Sequence, residues 1–296
     1  MVGGFLAARS LTYGSWSCEA TEATSSPRLP ALIGRRYLRL MRPYAVALAA
    51  AILCAALARA WTTEPSVPPA PDLGQFAAHL LLAQDILGFE ALSAGVWYVA
   101  IDFQLYVLLL VMVTIGRRID PRLALGLVFT LACGSLFWWN RLPELDSWGI
   151  YFFGAYGMGA LAHWVSTRPN RLPGLLLIAV LILAALIVEW RVRIAVTGVA
   201  AMSLAAGPTR AWHWPRSLSA AVRVLGDSSY SVFLIHYPAM LLAGAVVFRW
   251  WPQSVAANAC GMIGAWLLSL GAGAVLYRTV EVGARQPGDE RSRPVR

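Results

Sequence analysis

The sequence predicts an all-α fold, a polytopic membrane helix bundle of about eight transmembrane helices with both termini in the cytoplasm. The first observation is composition: 58% of the 296 residues are hydrophobic and only 13% are charged, with a mean hydropathy of +0.61. A soluble domain carries about 25% charged residues, so the charged side chains are too few to cover a soluble surface. The second observation is a series of apolar stretches, and the third is the distribution of arginine between them.

A membrane-crossing helix needs about 20 mostly apolar residues. Eight stretches approach or reach this length, and the sixth is the shortest. Only a few residues around Glu189, Trp190 and Arg191 separate the fifth stretch from the sixth, which predicts a tight hairpin. The eight predicted spans are residues 43–60, 97–115, 123–139, 148–166, 173–188, 194–207, 228–248 and 256–277.

All 24 basic residues are arginine, and they alternate between the two sides of the predicted bundle. With a cytoplasmic N-terminus, 19 arginines fall in inner segments and 5 in outer segments. An arginine excess in cytoplasmic connections sets the orientation of membrane proteins, so the alternation supports both the number and the direction of the spans. The net charge of +9 therefore reflects topology, and no nucleic-acid partner is predicted. The five outer arginines are Arg59, Arg141, Arg191, Arg193 and Arg249.

Three segments differ in character from the spans. Residues 61–75 are rich in proline and predict an extended outer loop. Residues 76–92 combine apolar side chains with His79 and Asp85, which predicts an interfacial or cavity-lining helix. Residues 285–296 are polar and predict a disordered cytoplasmic tail, so the transmembrane domain is expected to occupy residues 1–284.

A basic stripe precedes the first predicted span. Arg35, Arg39 and Arg42 recur at helical spacing, and Arg36 lies one position off their face. Two interpretations stay open at this point. The stripe can anchor the helix to anionic lipid head groups, or its guanidinium groups can bind phosphates.

Two spans carry polar side chains at depth. Tyr98, Asp102 and Tyr106 fall on one helical stripe, and a carboxylate there costs about 2.5–3.5 kcal/mol on insertion scales, so it faces the bundle interior. Either a functional cavity or a structural contact explains that aspartate. Ser229 and His236 share a face of the seventh span, where the histidine is either a structural hydrogen-bonding group or part of a site. The four cysteines have no metal-site spacing, and no metal is predicted.

Four short segments, in order along the chain, resemble the motifs of one known family, the acyltransferase-3 family of bacterial integral-membrane enzymes. Residues 2–6 resemble its Ser-Gly-Phe-Leu turn, and residues 36–39 with Pro43 resemble its basic motif. Residues 97–106 are similar to its Trp-Ser-Leu-x-x-Glu-x-x-x-Tyr segment. Residues 225–238 are similar to its Gly-x-x-Ser-Tyr-Ser-x-Tyr-Leu-x-His-x-Pro segment. The resemblance covers nearly the whole chain.

The resemblance implies an O-acyltransferase of the bacterial inner (plasma) membrane. Such an enzyme moves an acyl group, acetyl on family grounds, from acyl-CoA to a hydroxyl of a sugar or glycan in an envelope polysaccharide or exopolysaccharide. No bound cofactor is implied, because acyl-CoA is a donor substrate. Arg36 and Arg39 would bind acyl-CoA, and Asp102, Tyr106 and His236 would support catalysis. The implied cavity-lining residues are Trp97, Tyr98, Ser229 and Tyr230.

The sequence also departs from the family pattern. Asp102 stands where the family usually has Glu, and Gly3 stands where it usually has Ser. The catalytic His of the family lies on a first helix without a counterpart here, so the chain is expected to lack one or two N-terminal spans and its catalytic base stays unassigned. The alternatives are a non-catalytic membrane transporter or flippase-like glycolipid-binding protein, and an inactive truncated family member.

Overall fold

The computed structural model describes residues 1–13, 29–62, 67–207 and 216–282. The regular secondary structure of these residues is helical, and the tail predicted for residues 285–296 lies outside them. Short 3-10 helices at Trp139–Arg141 and Pro143–Leu145 and a π-helical turn at Tyr277–Glu281 complete the elements. The ten α-helices are α1 (Val2–Tyr13), α2 (Leu29–Trp61), α3 (Leu73–Leu80), α4 (Val96–Ile119), α5 (Pro121–Phe137), α6 (Gly149–Ser166), α7 (Leu172–Val188), α8 (Val192–Ala206), α9 (Arg216–Trp250) and α10 (Val255–Leu276).

Each of the eight predicted spans corresponds to one of these helices, which confirms the polytopic helical class. Among the described residues, five helical segments are long and apolar enough to cross a membrane, namely Leu29–Trp61, Val96–Ile119, Arg122–Arg141, Leu218–Trp250 and Val255–Glu281. The apolar helices α7 and α8 are shorter, and they form the predicted hairpin around Glu189. The cytoplasmic placement of both termini stays a prediction.

Helices α2 and α9 extend beyond the spans predicted for them. They contain 33 and 35 residues, which at 1.5 Å per residue is about 50 Å, longer than the bilayer core of about 30 Å. The basic and polar residues before Pro43 and Ser228 mark where the apolar stretch begins, but they do not end the helix. Each of these helices therefore has a polar N-terminal extension.

The segment predicted as one helix over residues 76–92 is different in the structure. Helix α3 is only 8 residues long, and the side chain of Asp72 caps it by accepting a hydrogen bond from the backbone N–H of Gln75 at 2.7 Å. Beyond it, Leu82 and Gly88 adopt positive φ values of 55° and 74°. A right-handed helix cannot continue through such residues, so the chain proceeds in turns up to Val96.

The chain divides into two compact units, and the first comprises Met1–Gly34 and Ile101–Trp212. Helix α6 is its centre and packs against α1, α5 and α8. Small residues let helix backbones approach closely in membranes, and α1 and α6 show this directly. A Cβ added at Gly4 would lie 1.9 Å from the carbonyl oxygen of Tyr156, and one at Gly159 would lie 2.0 Å from that of Met1.

The second unit comprises Arg35–Ala100 and His213–Arg296. Helices α9 and α10 pack closely in it, since a Cβ at Gly273 would lie 2.4 Å from Cγ2 of Val232. The buried residues of α2 recur at helical spacing and give this helix one continuous packed face. They include Leu40, Tyr44, Ala47, Leu48, Ala51, Ala55 and Ala58.

Candidate functional site

The basic stripe of α2 divides between two helix faces. Arg35, Arg39 and Arg42 are exposed, whereas Arg36 is half-buried on the side of the helix that carries Leu40. The predicted phosphate-binding pair, Arg36 and Arg39, therefore combines one guanidinium near the packed face with one at the surface. A phosphate at this edge can be reached by both, because they lie one helical turn apart.

The turn that carries this pair holds the α3 segment through Tyr37. The hydroxyl of Tyr37 donates a hydrogen bond to the backbone carbonyl of Leu80, at 2.6 Å. The ring of His79 is fully buried, with Nδ1 2.8 Å from the carbonyl of Gln75 and Nε2 3.1 Å from the backbone N–H of Leu92. Since Nε2 must accept from that N–H, Nδ1 carries the proton and the imidazole is neutral.

Burial lowers the pKa of His79 below its ordinary value of 6.5. Between the lowered pKa of the folded chain and the ordinary pKa, the unfolded chain therefore binds a proton that the folded chain does not. The free energy of unfolding then decreases as the pH drops below about 6.5, by at most about 1.4 kcal/mol per pH unit. We expect the thermal midpoint of the purified protein to fall more steeply between pH 7.5 and pH 5 than that of His79→Gln. Parallel pH profiles for the two proteins would contradict the buried neutral histidine.

Helix α9 is joined to α2 next to the basic pair. The hydroxyl of Tyr230 donates a hydrogen bond to the backbone carbonyl of Leu40, at 3.0 Å. A carbonyl inside a helix normally bonds only its own helix, but Pro43 lies inside α2 and lacks an N–H. Proline opens the preceding helical turn, which makes carbonyls there accessible to a side chain. The predicted cavity residue Tyr230 therefore contacts α2 at Leu40, the residue that directly follows Arg39.

A groove of about 410 Å³ runs along α9. Ser229 and His236 both line it, as expected from their shared helix face. The ring Nδ1 of His236 lies 2.5 Å from the carbonyl oxygen of Phe233 and donates a hydrogen bond to it. The groove is otherwise apolar, and its lining residues are Leu225, Ser229, Val232, Phe233, His236 and Leu270.

The start of α4 packs on the same part of α9. The ring of Tyr98 meets that of Phe233 edge-on at 5.8 Å between centroids, and Trp97 meets Tyr98 in the same way at 5.9 Å. Gly95 has a φ of +89°, and a Cβ there would lie 2.7 Å from Cζ of Phe233. The structure therefore brings Trp97 and Tyr98 to the aromatic ring that lines the groove, although both are about half exposed.

Asp102 and Tyr106 belong to the first unit. Both are partly buried on α4, and a Cβ added at Gly3 would lie 3.6 Å from Oδ1 of Asp102. The segment that resembles the Ser-Gly-Phe-Leu turn thus lies beside the carboxylate of Asp102. A serine in place of Gly3 would bring a hydroxyl close to that carboxylate.

Sequence reasoning missed one buried polar pair in the second unit. The hydroxyl of Ser231, fully buried, donates a hydrogen bond of 2.7 Å to Oε2 of Glu281, which is also buried. The position of Ser231 next to Tyr230, at the start of the apolar part of α9, was the available signal.

Several buried polar atoms of the second unit find no hydrogen-bond partner in the described part of the chain. They are Oη of Tyr44, Oε1 of Gln84 and Oγ of Ser93. Such atoms are the usual positions of bound water or ligand groups. Among the described residues, no group of three or more His, Cys, Asp or Glu side chains is arranged to hold a metal ion.

Comparison with known proteins bears on what these residues do. The acyltransferase domain of the acyltransferase-3 family matches residues 1–275 of the chain. No curated protein and no solved structure shows significant similarity to it. The match includes all four motif segments, the whole first unit and most of the second. With five long apolar helices among the described residues, the protein is a multi-pass membrane protein. The chain belongs to the acyltransferase-3 family of membrane acyltransferases.

Proposed function

We propose that the protein transfers an acyl group from acyl-CoA to a hydroxyl of a sugar or glycan acceptor at the bacterial inner membrane. The observation that supports this most directly is the pair of hydrogen bonds made by α2 next to Arg36 and Arg39. Through Tyr37 and Leu40, this helix holds the α3 segment and the helix that carries the groove. The arginine pair proposed to bind phosphate therefore belongs to the same unit as the groove.

The donor provides the charge that the basic pair would bind. Coenzyme A carries phosphates, and guanidinium groups bind phosphate oxygens through two parallel N–H donors. Arg36 and Arg39 would hold these phosphates at the cytoplasmic edge, where acyl-CoA is available. The apolar groove beside Phe233 would then take the acyl thioester out of water.

The reaction itself needs few groups. The acceptor oxygen attacks the thioester carbonyl carbon while a base takes the hydroxyl proton. The C–S bond then breaks, and the base passes this proton to the leaving sulfur, so that coenzyme A leaves as the thiol. In this proposal Ser229 and His236 provide polar contacts within the groove, with the lone pair of Nε2 accepting a hydrogen bond from the acceptor. His236 has a supporting role here and is not assigned as the base.

Asp102 and Tyr106 are proposed to act with the start of α1. A partly buried carboxylate on an apolar helix is expensive to keep, and its position beside Gly3 matches the motif segment that the family shares. We assign this carboxylate to orienting a proton-transfer group. Acetyl is the donor group proposed, on family grounds.

The proposal is tested with the purified full chain in lipid nanodiscs, supplied with labelled acetyl-CoA and a glycan fraction from bacterial envelopes. We expect thiol release that requires the glycan, with label appearing on the glycan in an alkali-labile ester. Thiol release and label transfer separate an enzyme from a transporter, because a transporter binds the glycolipid without consuming acetyl-CoA. Glycan binding without either signal would overturn the proposal in favour of the non-catalytic alternatives.

A further inference from the structure

Three of the five predicted outer arginines have protein partners within the first unit. Arg141 lies 3.2 Å from the carboxylate of Glu189, and Arg191 hydrogen-bonds the same carboxylate at 2.7 Å through Nε. Arg191 and Arg193 both donate to the backbone carbonyl of Asn140, at 2.6 and 3.1 Å. These contacts tie the α7–α8 hairpin to the connection after α5, which is a structural role.

The other two, Arg59 and Arg249, line one pocket in the second unit. Arg59 lies in the last turn of α2 and Arg249 in the last turn of α9, so segments far apart in sequence meet there. The pocket has a volume of about 290 Å³. Its lining residues are Arg59, Ala60, Trp61, Thr62, Phe248 and Arg249.

The chemistry of this pocket favours an anion. Both charged residues that line it are cationic, and among the described residues no carboxylate lines it. The guanidinium of Arg59 donates to the carbonyl of Pro68, and that of Arg249 lies 5.6 Å from the ring centroid of Trp250. Neither contact supplies a negative charge, so within the part of the chain that the structure describes this pocket is lined by two positive charges. A bound anion would relieve their repulsion.

The pocket is distinct from the basic pair of the proposed donor site. Arg36 and Arg59 are on the same helix, and 1.5 Å per residue places them about 35 Å apart along its axis. That distance matches a bilayer core of about 30 Å. A ligand bound at Arg59 and Arg249 is therefore at the opposite membrane surface from one bound at Arg36 and Arg39.

We propose that Arg59 and Arg249, with Trp61 and Thr62, form a binding site for a phosphate ester at the outer surface of the membrane. The two guanidinium groups bind the phosphate oxygens. Trp61, about half exposed, offers its ring to the group attached to the phosphate, and Thr62 contributes to the buried wall. The volumes of known ligand pockets start at about 300 Å³. This pocket is therefore large enough for one phosphorylated sugar or one phospholipid head group.

The site is independent of acyl transfer, so it is tested by binding alone. The full chain is purified in nanodiscs of zwitterionic phosphatidylcholine and titrated with glucose 1-phosphate and, separately, with uncharged glucose. In the second arm, native mass spectrometry compares retention of phosphatidylglycerol with that of phosphatidylcholine. We expect selective binding of the anionic partner in at least one arm. Glucose 1-phosphate binding identifies a glycan source, and phosphatidylglycerol retention identifies a lipid source.

Variants connect the binding to the pocket. Arg59→Gln/Arg249→Gln should weaken the anionic ligand at least about tenfold, since each lost contact is a charge-assisted hydrogen bond. The control variant Arg141→Gln/Arg193→Gln removes the same charge from two outer arginines of the first unit. It should leave the affinity for the anionic ligand within about twofold of the wild-type value. Equal affinity in both double variants, or no preference of the wild-type chain for either anionic ligand, would overturn the site. The wild-type preference is measured without any variant, so a folding defect in the variants cannot mask the result.

Discussion

Replacing Arg36 and Arg39 with alanine together is expected to reduce kcat/KM for acyl-CoA at least about 100-fold, while the protein still inserts into the membrane. The reason is that hydrogen bonds between charged groups contribute about 1.5–3 kcal/mol each, and two such contacts to the donor phosphates are lost. Most of the effect should appear as a higher KM for acyl-CoA. The measurement is acetyl-CoA consumption by the purified variant over a range of donor concentrations.

The chain offers a matched control on the same helix. Arg35 and Arg42 are exposed on the basic stripe but lie outside the pair that resembles the family motif. Arg35→Ala/Arg42→Ala removes the same charge from the same membrane edge, so it reports general attraction of the anionic donor. Equal losses in the two double variants would show that the stripe only attracts the donor or anchors the helix to lipid, and would contradict the donor site. Lysine at positions 36 and 39 should recover activity only in part, because lysine lacks the planar two-donor geometry.

Replacing Gly4 with alanine is expected to destabilise the first unit by about 3 kcal/mol or more. The added Cβ would lie 1.9 Å from the carbonyl oxygen and 2.8 Å from the carbonyl carbon of Tyr156. Both are backbone atoms, so no side chain can rotate away, and α1 would have to separate from α6. The measurement is the thermal midpoint in detergent, monitored by circular dichroism or by a thiol-reactive dye on the partly buried Cys133 of this unit.

The neighbouring glycine provides the control for this change. A Cβ at Gly3 would meet Cε2 of Tyr156 at 3.4 Å and Oδ1 of Asp102 at 3.6 Å, which are ordinary contact distances. Gly3→Ala should therefore change stability by no more than about 0.5 kcal/mol. Similar midpoints for Gly3→Ala and Gly4→Ala would refute the close backbone contact between α1 and α6.

The membrane class and the helices could be predicted because their signals are local. The length of each apolar stretch identifies the eight helices that correspond to predicted spans, α2 and α4 to α10. The short connection around Glu189 identifies the α7–α8 hairpin. The shared face of Ser229 and His236 also followed from helical periodicity, and both line the groove of α9. The incorrect prediction was the helix over residues 76–92, because its apolar pattern does not reveal the left-handed backbone at Leu82.

Contacts between distant segments could not be predicted in the same way. Ser231 bonds Glu281 across 50 residues, and Tyr230 bonds a carbonyl of α2 across 190. No periodic pattern specifies which carbonyl a hydroxyl will reach, since that depends on how two helices pack. Similarly, the sequence placed Arg59 and Arg249 on one side of the membrane, but only the folded chain showed that they share a pocket.

The sequence by itself therefore determined the membrane class, the order of the helices and the motifs of the acyltransferase-3 family. These depend on apolar length, on arginine counts between spans and on short runs of residues, all of which can be recognised without knowing any helix–helix contact. Only the tertiary structure decided that Asp102 lies beside α1, and which arginines share a pocket. It also decided that Tyr37 joins α2 to the end of α3 and that Tyr230 joins α9 to α2 next to the basic pair. The physical reason is that close packing at residues such as Gly4, and carbonyls opened by Pro43, determine which side chains meet.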